Sequence, residues 1–362
     1  MTQDEEWMSL ALAQAGKARR LSAPNPAVGA VIVRDGRVIG CGHTQAVGGP
    51  HAEIMALRDA QARGECVAGA TMYVTLEPCS HYGRTPPCAK ALIEHRLGRV
   101  VVAILDPNPL VAGRGVRMLT EAGISVTTGI CENEAFNANV GFITRMTTGR
   151  PWVRLKCAST LDGRTALPDG RSQWITGSDA REENQWLRAR SGAIVTGIGT
   201  VKADNPRMTV RLADQVRFPL RVVVDARLEI PLTAQILEGG NTLIVTACND
   251  ESKAQALKQK GVEIWYLPDE QNPERVDLGK MLDRLGEREV NEVHLEAGAG
   301  LNGAFLHQKL VDEIVLFMAP CFFGAGMPIA HVPLPQTPND AHRWKVTELS
   351  QIGADLLVIM RR

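Results

Sequence analysis

The sequence predicts two α/β domains, residues 1–147 and 148–362, and three observations support this fold class. Strand-like and helix-like hydrophobic periods alternate through both halves of the chain, which is typical of largely parallel sheets covered by helices. A glycine and proline break at Thr148-Gly149-Arg150-Pro151 separates the two alternating series. The length of 362 residues also exceeds that of most single domains, which hold about 100–200 residues.

The elements of the first half follow from local patterns. Apolar residues at helical spacing predict a helix over 4–20, and apolar runs on either side of Asp35-Gly36 predict a hairpin of strands 27–33 and 37–42. Further helices are predicted over 51–63, from Pro87, over 114–122 and over 132–147, and further strands over 71–76, 99–105 and 124–127.

The second half repeats the alternation with a longer series of strands. Strands are predicted over 151–159, 193–197, 221–226, 242–247, 262–267, 292–297 and 313–319, and helices over 179–190, 251–260, 277–286 and 301–309. Two last apolar runs, 344–349 and 355–360, predict an antiparallel pair at the end of the sheet.

Composition and charge argue against several classes of protein. A hydrophobic content of 44% with 22% charged residues is that of a globular protein with a full core. The 40 basic residues balance the 40 acidic ones, so no basic field indicates a nucleic-acid partner. The acidic start MTQDEEWM lacks the apolar segment of a secretory signal, and no apolar run is long enough to span a membrane. We therefore expect a cytoplasmic protein whose eight cysteines are mostly reduced.

One imidazole and two thiols are spaced as ligands of a catalytic metal site. His51 precedes Glu53 at a predicted helix start, and Cys79 and Cys88 each follow a proline. One imidazole and two thiolates supply three zinc ligands and leave the fourth tetrahedral position to water, which is the catalytic arrangement. Glu53 can carry protons between that water, a ring nitrogen and a leaving amine. This pattern is similar to that of the zinc deaminases.

The remaining cysteines and the loop between the two thiols need separate interpretation. We expect that six cysteines do not bind the metal: Cys41, Cys66, Cys131, Cys157, Cys248 and Cys321. Eight residues separate Cys79 from Cys88, whereas common nucleobase deaminases have two. This loop carries His81 and Arg84, which either hold a substrate phosphate or sugar or are solvated loop residues. A structural zinc site, or core cysteines without a metal, is the alternative to catalysis.

In the second half, the sequence evidence for a cofactor site is weaker. No G-x-G-x-x-G follows its first strand, so a Rossmann cofactor site is not supported there. The run EAGAGLNG at 296–303 instead ends a strand and opens a helix, and its glycines allow backbone amides to approach a pyrophosphate. An ordinary strand-to-helix turn would look the same.

Several longer motifs in both halves of the chain match one known family. In the first half they are PNPAVGAVIV (24–33), HAE (51–53), TLEPCSHYGRTPPC (75–88) and DPNPLVAGRG (106–115). In the second half they are LKCASTLDGRTA (155–166), SQWITG (172–177), TVKADNPRMTVR (200–211) and HLEAGAGLNGAFL (294–306). With these motifs the chain resembles the bacterial bifunctional riboflavin-biosynthesis deaminase/reductase family, and the resemblance extends over nearly the whole chain.

The resemblance implies a cytidine-deaminase-like three-layer domain followed by a dihydrofolate-reductase-like α/β domain. The first would use Zn²⁺ to remove the 2-amino group of 2,5-diamino-6-(5-phosphoribosylamino)pyrimidin-4(3H)-one. The second would reduce the ribosyl group to ribityl with NADPH. We accordingly expect a small-molecule phosphoribosylaminopyrimidine substrate, no nucleic-acid or membrane partner, and a homo-oligomer.

The matched motifs also imply two sets of contacts in the second domain. The NADP contacts would be Ala158, Trp174, Thr200, Asp204, Gly298, Ala299, Gly300, Leu301, Asn302, Gly303 and Ala304. The substrate contacts would be Ser172, Arg188, Met208, Arg211 and Glu296, since arginines and a hydroxyl suit a phosphate and a carboxylate suits sugar hydroxyls. Four positions depart mildly from the family pattern, namely Thr160, Met208, Ala226 and Ala299.

Two other functions remain open from the sequence. One is a zinc deaminase of another pyrimidine or of a tRNA base, with the second half acting only as a binding module. The neutral net charge argues against the tRNA version. The other is a non-enzymatic interaction protein stabilised by zinc, against which Glu53 and the open ligand position argue.

Overall fold

The chain forms two compact units, Met1–Gly149 and Arg150–Arg362. The computed structural model describes residues 1–80, 87–108, 112–213 and 217–362. The division follows Gly149, whose positive φ of 79° ends the last helix of the first unit. That helix continues to Thr148, so a boundary after residue 147 would lie within its last turn.

The first unit alternates helices with short strands. Its elements are α1 (Gln3–Ala18), β1 (Gly29–Arg34), β2 (Arg37–His43), α2 (Ala52–Ala62), β3 (Thr71–Val74), α3 (Cys88–Glu94), β4 (Arg99–Val102), α4 (Arg114–Glu121), β5 (Ser125–Thr128), α5 (Glu132–Ala138) and α6 (Val140–Thr148). Helix α1 begins with a capping box in which Thr2 and Glu5 bind each other's backbone N–H groups.

A single sheet organises this unit. Within the described residues, the strand order is β2-β1-β3-β4-β5. Strand β1 is antiparallel to both β2 and β3, whereas β3, β4 and β5 are parallel. The hairpin between β1 and β2 turns at Asp35 and Gly36, which both have positive φ, as a two-residue hairpin loop requires.

Helices cover both faces of the sheet and make three layers. On one face, Ile32 and Val100 pack in a cluster with apolar residues of α2, α3, α4 and α6. On the other face, Val31 and Val101 pack with apolar residues of α1 and α5. The alternation of neighbouring strand residues between the two clusters follows from the two-residue period of a strand.

The predicted helix 132–147 is wrong as one helix, because Asn139 divides it into α5 and α6. Asn139 leaves the helical conformation with φ −123° and ψ 19°. Its buried side chain accepts the N–H of Ala27 at 2.7 Å and donates to the carbonyl of Ala27 at 3.0 Å. The interruption therefore satisfies two backbone groups that the sheet leaves unpaired.

The second unit is built around a larger sheet. Its elements are β6 (Trp152–Thr160), β7 (Arg164–Ala166), α7 (Ser178–Arg190), β8 (Ala193–Gly197), α8 (Ile198–Asp204), β9 (Leu220–Val224), a 3₁₀ turn (Gln235–Leu237), β10 (Thr242–Thr246), α9 (Glu251–Gln259), β11 (Glu263–Tyr266), α10 (Leu278–Glu287), β12 (Glu292–Leu295), α11 (Ala299–His307), β13 (Glu313–Ala319), β14 (Met327–Pro328), a 3₁₀ turn (Pro338–Asp340), β15 (Lys345–Ile352) and β16 (Asp355–Arg361).

The sheet order in the described part of this unit is β11-β10-β9-β8-β12-β6-β13-β16-β15. Strands β11 to β13 in that order are parallel, and β16 and β15 complete it as the antiparallel pair that the sequence predicts. The sequence analysis missed the short helix α8 and the small β7–β14 pair.

The two faces of this sheet differ in polarity. On one face, Val293 and Leu295 of β12 pack with α10 and α11 in an apolar core. The other face is covered by α7, α8 and α9, and under α7 it carries the buried polar residues Arg154, His294 and Glu313. In the described part of the chain, none of the helices combines the length and apolarity that crossing a lipid bilayer requires.

Candidate active sites

The metal-ligand candidates of the first unit stand at two helix starts and on one loop. His51 is the extended residue that immediately precedes α2, and Glu53 lies buried in the first turn of that helix. Cys88 opens α3 directly after Pro87, whose ring suits the start of a helix. Cys79 lies on the loop that follows β3.

The three predicted ligands come together at the separations that zinc requires. The Nδ1 atom of His51 lies 3.6 Å from the Cys79 sulfur and 3.3 Å from the Cys88 sulfur. A tetrahedral zinc ion with ordinary bond lengths would hold a nitrogen and a sulfur about 3.6 Å apart. Among the described residues, His51, Cys79 and Cys88 form the one group of histidines, cysteines and acids whose ligand atoms lie close enough together to hold a metal ion. The donor set and its spacing therefore fit zinc.

The other six cysteines lie outside this cluster and form no disulfide. His81 and Arg84, the two polar residues of the loop between the thiols, lie outside the described residues.

The two thiols and the imidazole share protons. A hydrogen bond with Cys88, against the opposing effect of burial, lowers the pKa of Cys79 to about 4. The same bond, together with burial, raises the pKa of Cys88. The hydrogen bond to Cys79 raises the pKa of His51 to about 9. A dication bound here would replace these shared protons, because metal and proton use the same lone pairs.

Glu53 has an environment suited to proton transfer. Burial raises the pKa of its carboxyl to about 7, against the opposing attraction of His51. Its position two residues after the ligand places it beside the cluster and not within it. A carboxyl group with a pKa near the working pH both accepts and releases protons readily.

Glu77 is a site residue that the sequence analysis missed. Its buried carboxylate accepts backbone N–H groups of Asp106 at 3.2 Å, of Gly113 at 2.9 Å and of Val116 at 3.1 Å. It thereby ties the loop that carries Cys79 to the first turn of α4. The sequence gives no local signal of this role, because the three N–H donors lie 29 to 39 residues further along the chain.

The close approach of α4 to the ligand loop depends on a glycine. A Cβ atom at Gly115 would lie 2.0 Å from the carbonyl oxygen of Pro78. Any larger residue would push the helix away from the loop that carries the metal ligand.

In the second unit, two of the turns that carry predicted cofactor residues lie at the carboxyl ends of parallel strands. Gly298 precedes α11 at the end of β12, and Thr200 lies in α8 at the end of β8. A Cβ at Gly298 would lie 3.9 Å from the Thr200 hydroxyl, so the two turns are adjacent. This edge is where parallel sheets bind ligands.

The segment after β14 packs on the first turns of α11. A Cβ at Gly303 would lie 1.9 Å from the carbonyl oxygen of His331, so the backbone can pass only over a glycine. Asn302 secures the same contact, because its side-chain amide donates to the carbonyls of Ala297 and Ile329.

Three of the predicted substrate residues lie together. Arg188 of α7 donates to both carboxylate oxygens of Glu296, at 2.5 and 2.9 Å, and its Nη2 is 3.5 Å from the sulfur of Met208. The pair is almost fully buried. Burial alone would raise the pKa of the Glu296 carboxyl. The positive charge of Arg188 outweighs this effect, so the pKa of Glu296 is well below its usual value.

Arg211 and the loop before α7 are more open. The Arg211 side chain is exposed and its guanidinium makes no hydrogen bond within the described residues, although its backbone N–H binds Gln185. Ser172 and Trp174 lie between β7 and α7, and the exposed Trp174 ring stacks on Arg181 at 4.7 Å. No hydrogen bond in the described chain joins Ser172 or Trp174 to Glu296.

Two family models match the two units separately. Residues 1–104 match the cytidine and deoxycytidylate deaminase zinc-binding region, and residues 151–358 match the RibD C-terminal domain. The fold and the ligand cluster thus define an enzyme of the zinc-dependent deaminase class joined to a reductase.

Relatives of known name and structure span the whole chain. Riboflavin biosynthesis protein RibD of Aquifex aeolicus is 40% identical over 99% of this chain and 98% of its own length. The Escherichia coli RibD is 41% identical, with 98% of each chain covered. The chain belongs to the RibD family, the bifunctional deaminase and reductase of riboflavin biosynthesis.

Solved structures agree with this membership. Acinetobacter baumannii RibD superimposes with a TM-score of 0.89 at 42% identity, covering 99% of this chain and 98% of its own. The Thermotoga maritima diaminohydroxyphosphoribosylaminopyrimidine deaminase/5-amino-6-(5-phosphoribosylamino)uracil reductase also has a TM-score of 0.89, at 35% identity and the same coverage. These matches confirm the fold class and bifunctional activity predicted from sequence, and they favour a reductase over a binding module.

Proposed function

We propose that the first unit deaminates 2,5-diamino-6-(5-phosphoribosylamino)pyrimidin-4(3H)-one to 5-amino-6-(5-phosphoribosylamino)uracil. The second unit then reduces the ribosyl group of that product to ribityl with NADPH. The observation that carries the proposal is the convergence of His51, Cys79 and Cys88 beside the buried Glu53, in a chain whose relatives include a named deaminase/reductase of these compounds.

His51, Cys79 and Cys88 would hold the zinc ion. Bound there, zinc would supply the Lewis acidity that makes water a nucleophile near neutral pH. The backbone positions all three candidate ligands, because two of them stand at helix starts and Glu77 fixes the loop of the third.

Glu53 is the proposed proton carrier. It takes a proton from the attacking water and gives it to the pyrimidine ring nitrogen, then takes the proton of the newly formed hydroxyl group and gives it to the amine, which leaves as ammonia. Its burial excludes competing solvent from this transfer.

In the second unit, we place NADPH at the turns that end β8 and β12. The glycine-rich start of α11 offers backbone N–H groups to a pyrophosphate, Thr200 of α8 lies beside it, and Asp204 ends the same helix. NADPH supplies the hydride, and the chain contributes orientation of the nicotinamide against the sugar carbon.

The substrate would lie between Glu296 and Arg211. Glu296 is ionised and suits sugar hydroxyls, whereas the exposed guanidinium of Arg211 suits the phosphate. Arg188 is already bonded to Glu296 and to the carbonyl of Thr209, so its part is to orient the carboxylate.

Product masses test both steps. The purified full-length protein is incubated with the diaminopyrimidinone ribotide, first without and then with NADPH. We expect replacement of an amine by oxygen in the first incubation and a further gain of two hydrogens in the second. Release of ammonia without any NADPH-dependent mass change would refute the reductase half, and no ammonia release from a zinc-loaded protein would refute the deaminase half.

A further inference from the structure

The carboxylate of Glu296 is held from two directions. From α7, Arg188 donates to Oε1 at 2.5 Å and to Oε2 at 2.9 Å. On the same carboxylate, the Nε2 atom of His294 lies 3.1 Å from Oε1, and the amide of Asn184 donates to Oε2 at 3.3 Å. A carboxylate has about four acceptor sites, so these four contacts occupy it fully.

The surroundings of His294 determine which of its nitrogens carries the proton. Its Nε2 atom faces two acceptors, the side-chain oxygen of Asn184 at 3.0 Å and the Glu296 carboxylate, and therefore must be a donor. Its Nδ1 atom is buried and makes no hydrogen bond to any described residue. A second proton there would be an unpaired buried charge, and burial accordingly lowers the pKa of His294.

The position of His294 on the strand explains why it reaches the site without being part of its surface. Glu292, His294 and Glu296 alternate with the apolar Val293 and Leu295, so all three polar residues point to the face beneath α7. His294 is fully buried, whereas Glu296 retains a small exposed fraction at the end of the strand. His294 can therefore influence bound substrate only through Glu296 or Asn184.

We propose that His294 is a positioning residue of the reductase site, which together with Asn184 fixes the Glu296–Arg188 pair in the orientation that receives the substrate's sugar hydroxyls. The proposal rests on the proposed function, which places Glu296 at the substrate. The Nδ2 contact from Asn184 is the longest of the four, so it is the one that a substrate hydroxyl replaces, while Asn184 continues to orient His294 through Oδ1. Arg188 and His294 then continue to hold the carboxylate.

The test compares two substitutions of the histidine in the full-length protein. His294→Leu keeps the bulk and removes the donor, and His294→Gln keeps an amide donor on a side chain of similar reach. With 5-amino-6-(5-phosphoribosylamino)uracil as substrate, His294→Leu should lower kcat/KM about tenfold, as expected for a displaced binding group. His294→Gln should recover most of it. The KM for NADPH and the ammonia release by the first unit should not change.

A matched control and a double-mutant cycle separate positioning from a structural role. His307→Leu removes an exposed histidine at the end of α11 and should leave all parameters unchanged. In a Glu296→Gln background, His294→Leu should have less than about a twofold further effect, since both changes remove the same interaction. Full multiplication of the two effects would overturn the proposal, as would a His294→Leu enzyme with wild-type kcat/KM.

The outcomes also distinguish this proposal from the proposed function. If Glu296→Gln retains wild-type kcat/KM for the ribotide, the assignment of Glu296 to the substrate fails, and the positioning role fails with it. If Glu296→Gln is impaired and His294→Leu is not, only the positioning role fails. As a spectroscopic check, ¹⁵N NMR of labelled histidine should show a neutral Nε2–H imidazole that is absent in His294→Gln. A charged imidazolium or an Nδ1–H tautomer would contradict the arrangement.

Discussion

Two buried glutamates of the first unit have different surroundings and hence different tasks. Glu77 accepts three backbone N–H groups and is a fixed anchor for the loop of Cys79. Glu53 faces His51 and the thiols, and burial raises its pKa to about 7. Their environments thus give side chains of one type an anchoring role at Glu77 and the proposed role of proton carrier at Glu53.

Replacing Glu53 should abolish one reaction and leave the other intact. Glu53→Gln keeps the shape of the side chain but cannot accept a proton, and loss of an acid/base group typically costs ~10²–10⁴-fold in rate. The variant should bind zinc, release ammonia at a rate lower by that factor, and oxidise NADPH normally with the deaminated ribotide.

Metal content, ammonia release and NADPH absorbance measure these three properties. Glu121→Gln, at the exposed end of α4, is the matched control and should behave as wild type. Loss of both activities in a folded Glu53→Gln protein would contradict the assignment of separate sites.

The site residues that could be proposed from sequence differ from those that could not in how far along the chain their partners lie. His51 and Glu53 could be proposed as site residues because they lie close together in the sequence at a predicted helix start. Glu77 could not, because its partners lie 29 to 39 residues away along the chain, and neither could His294, because Asn184, one of its two partners, lies 110 residues away. A glutamate in a loop or a histidine in a strand has no local signature that distinguishes an anchor from an ordinary surface group.

At the level of secondary structure, the alternation of strands and helices was readable, whereas interruptions were not. Hydrophobic period predicts β1, β2 and α2 to within two or three residues. The division between α5 and α6 depends on Asn139 binding the backbone of Ala27, which lies 112 residues away. Asparagine inside a helix is only mildly unfavourable, so the sequence alone favours continuity.

The Asn139 contact should be important for the stability of the first unit. Asn139→Ala leaves the N–H and the carbonyl of Ala27 without their partner in a buried position, and each unsatisfied group costs about 1–3 kcal/mol. We expect the free energy of unfolding, measured by urea titration, to fall by about 2–4 kcal/mol. Asn133→Ala, at an exposed position of α5, should change it little. Equal effects of the two substitutions would contradict the role of Asn139.

On the scale of the whole molecule, the second unit holds a buried ion network beneath α7. Arg154 of β6 donates to Glu313 at 2.5 Å and to Glu292 at 2.8 Å, and Arg190 of α7 binds Glu292 at 3.0 Å. Burial opposes ionisation of Glu292, but the cations of Arg190 and Arg154 outweigh it and lower its pKa to about 2. The network joins three central strands and one helix by charge and not by apolar packing.

This network predicts acid sensitivity of the second unit. Because the pKa of Glu292 is lower in the folded chain than its ordinary 4.5, its stabilising contribution is complete above pH 4.5 and is lost as the pH falls towards 2. Glu292→Gln should be destabilised at pH 7 by about 3–5 kcal/mol, since it leaves buried cations without their partner. The difference in unfolding free energy between the variant and wild type should shrink below pH 4.5.

Urea unfolding at a series of pH values measures that difference. Glu287→Gln, on the exposed side of α10, should follow the wild-type curve throughout. If the difference in unfolding free energy between wild type and Glu292→Gln stayed constant below pH 4.5, protonation of Glu292 would not be the cause of the acid sensitivity.

Metal removal should silence one activity and spare the other, because the candidate ligands all belong to Met1–Gly149 and the proposed reductase residues all belong to Arg150–Arg362. A chelator should abolish ammonia release and lower the unfolding temperature of the first unit, since an ion bound only to the folded state stabilises it. NADPH oxidation with the deaminated ribotide should continue.

Cys88→Ser should reproduce the chelated state, because a hydroxyl is a poor zinc ligand beside a thiolate. Cys66→Ser removes an exposed cysteine of the same unit and should retain zinc and both activities. If chelation stopped NADPH oxidation as well, the metal would have to support the second reaction, and the assignment of one chemistry to each unit would be wrong.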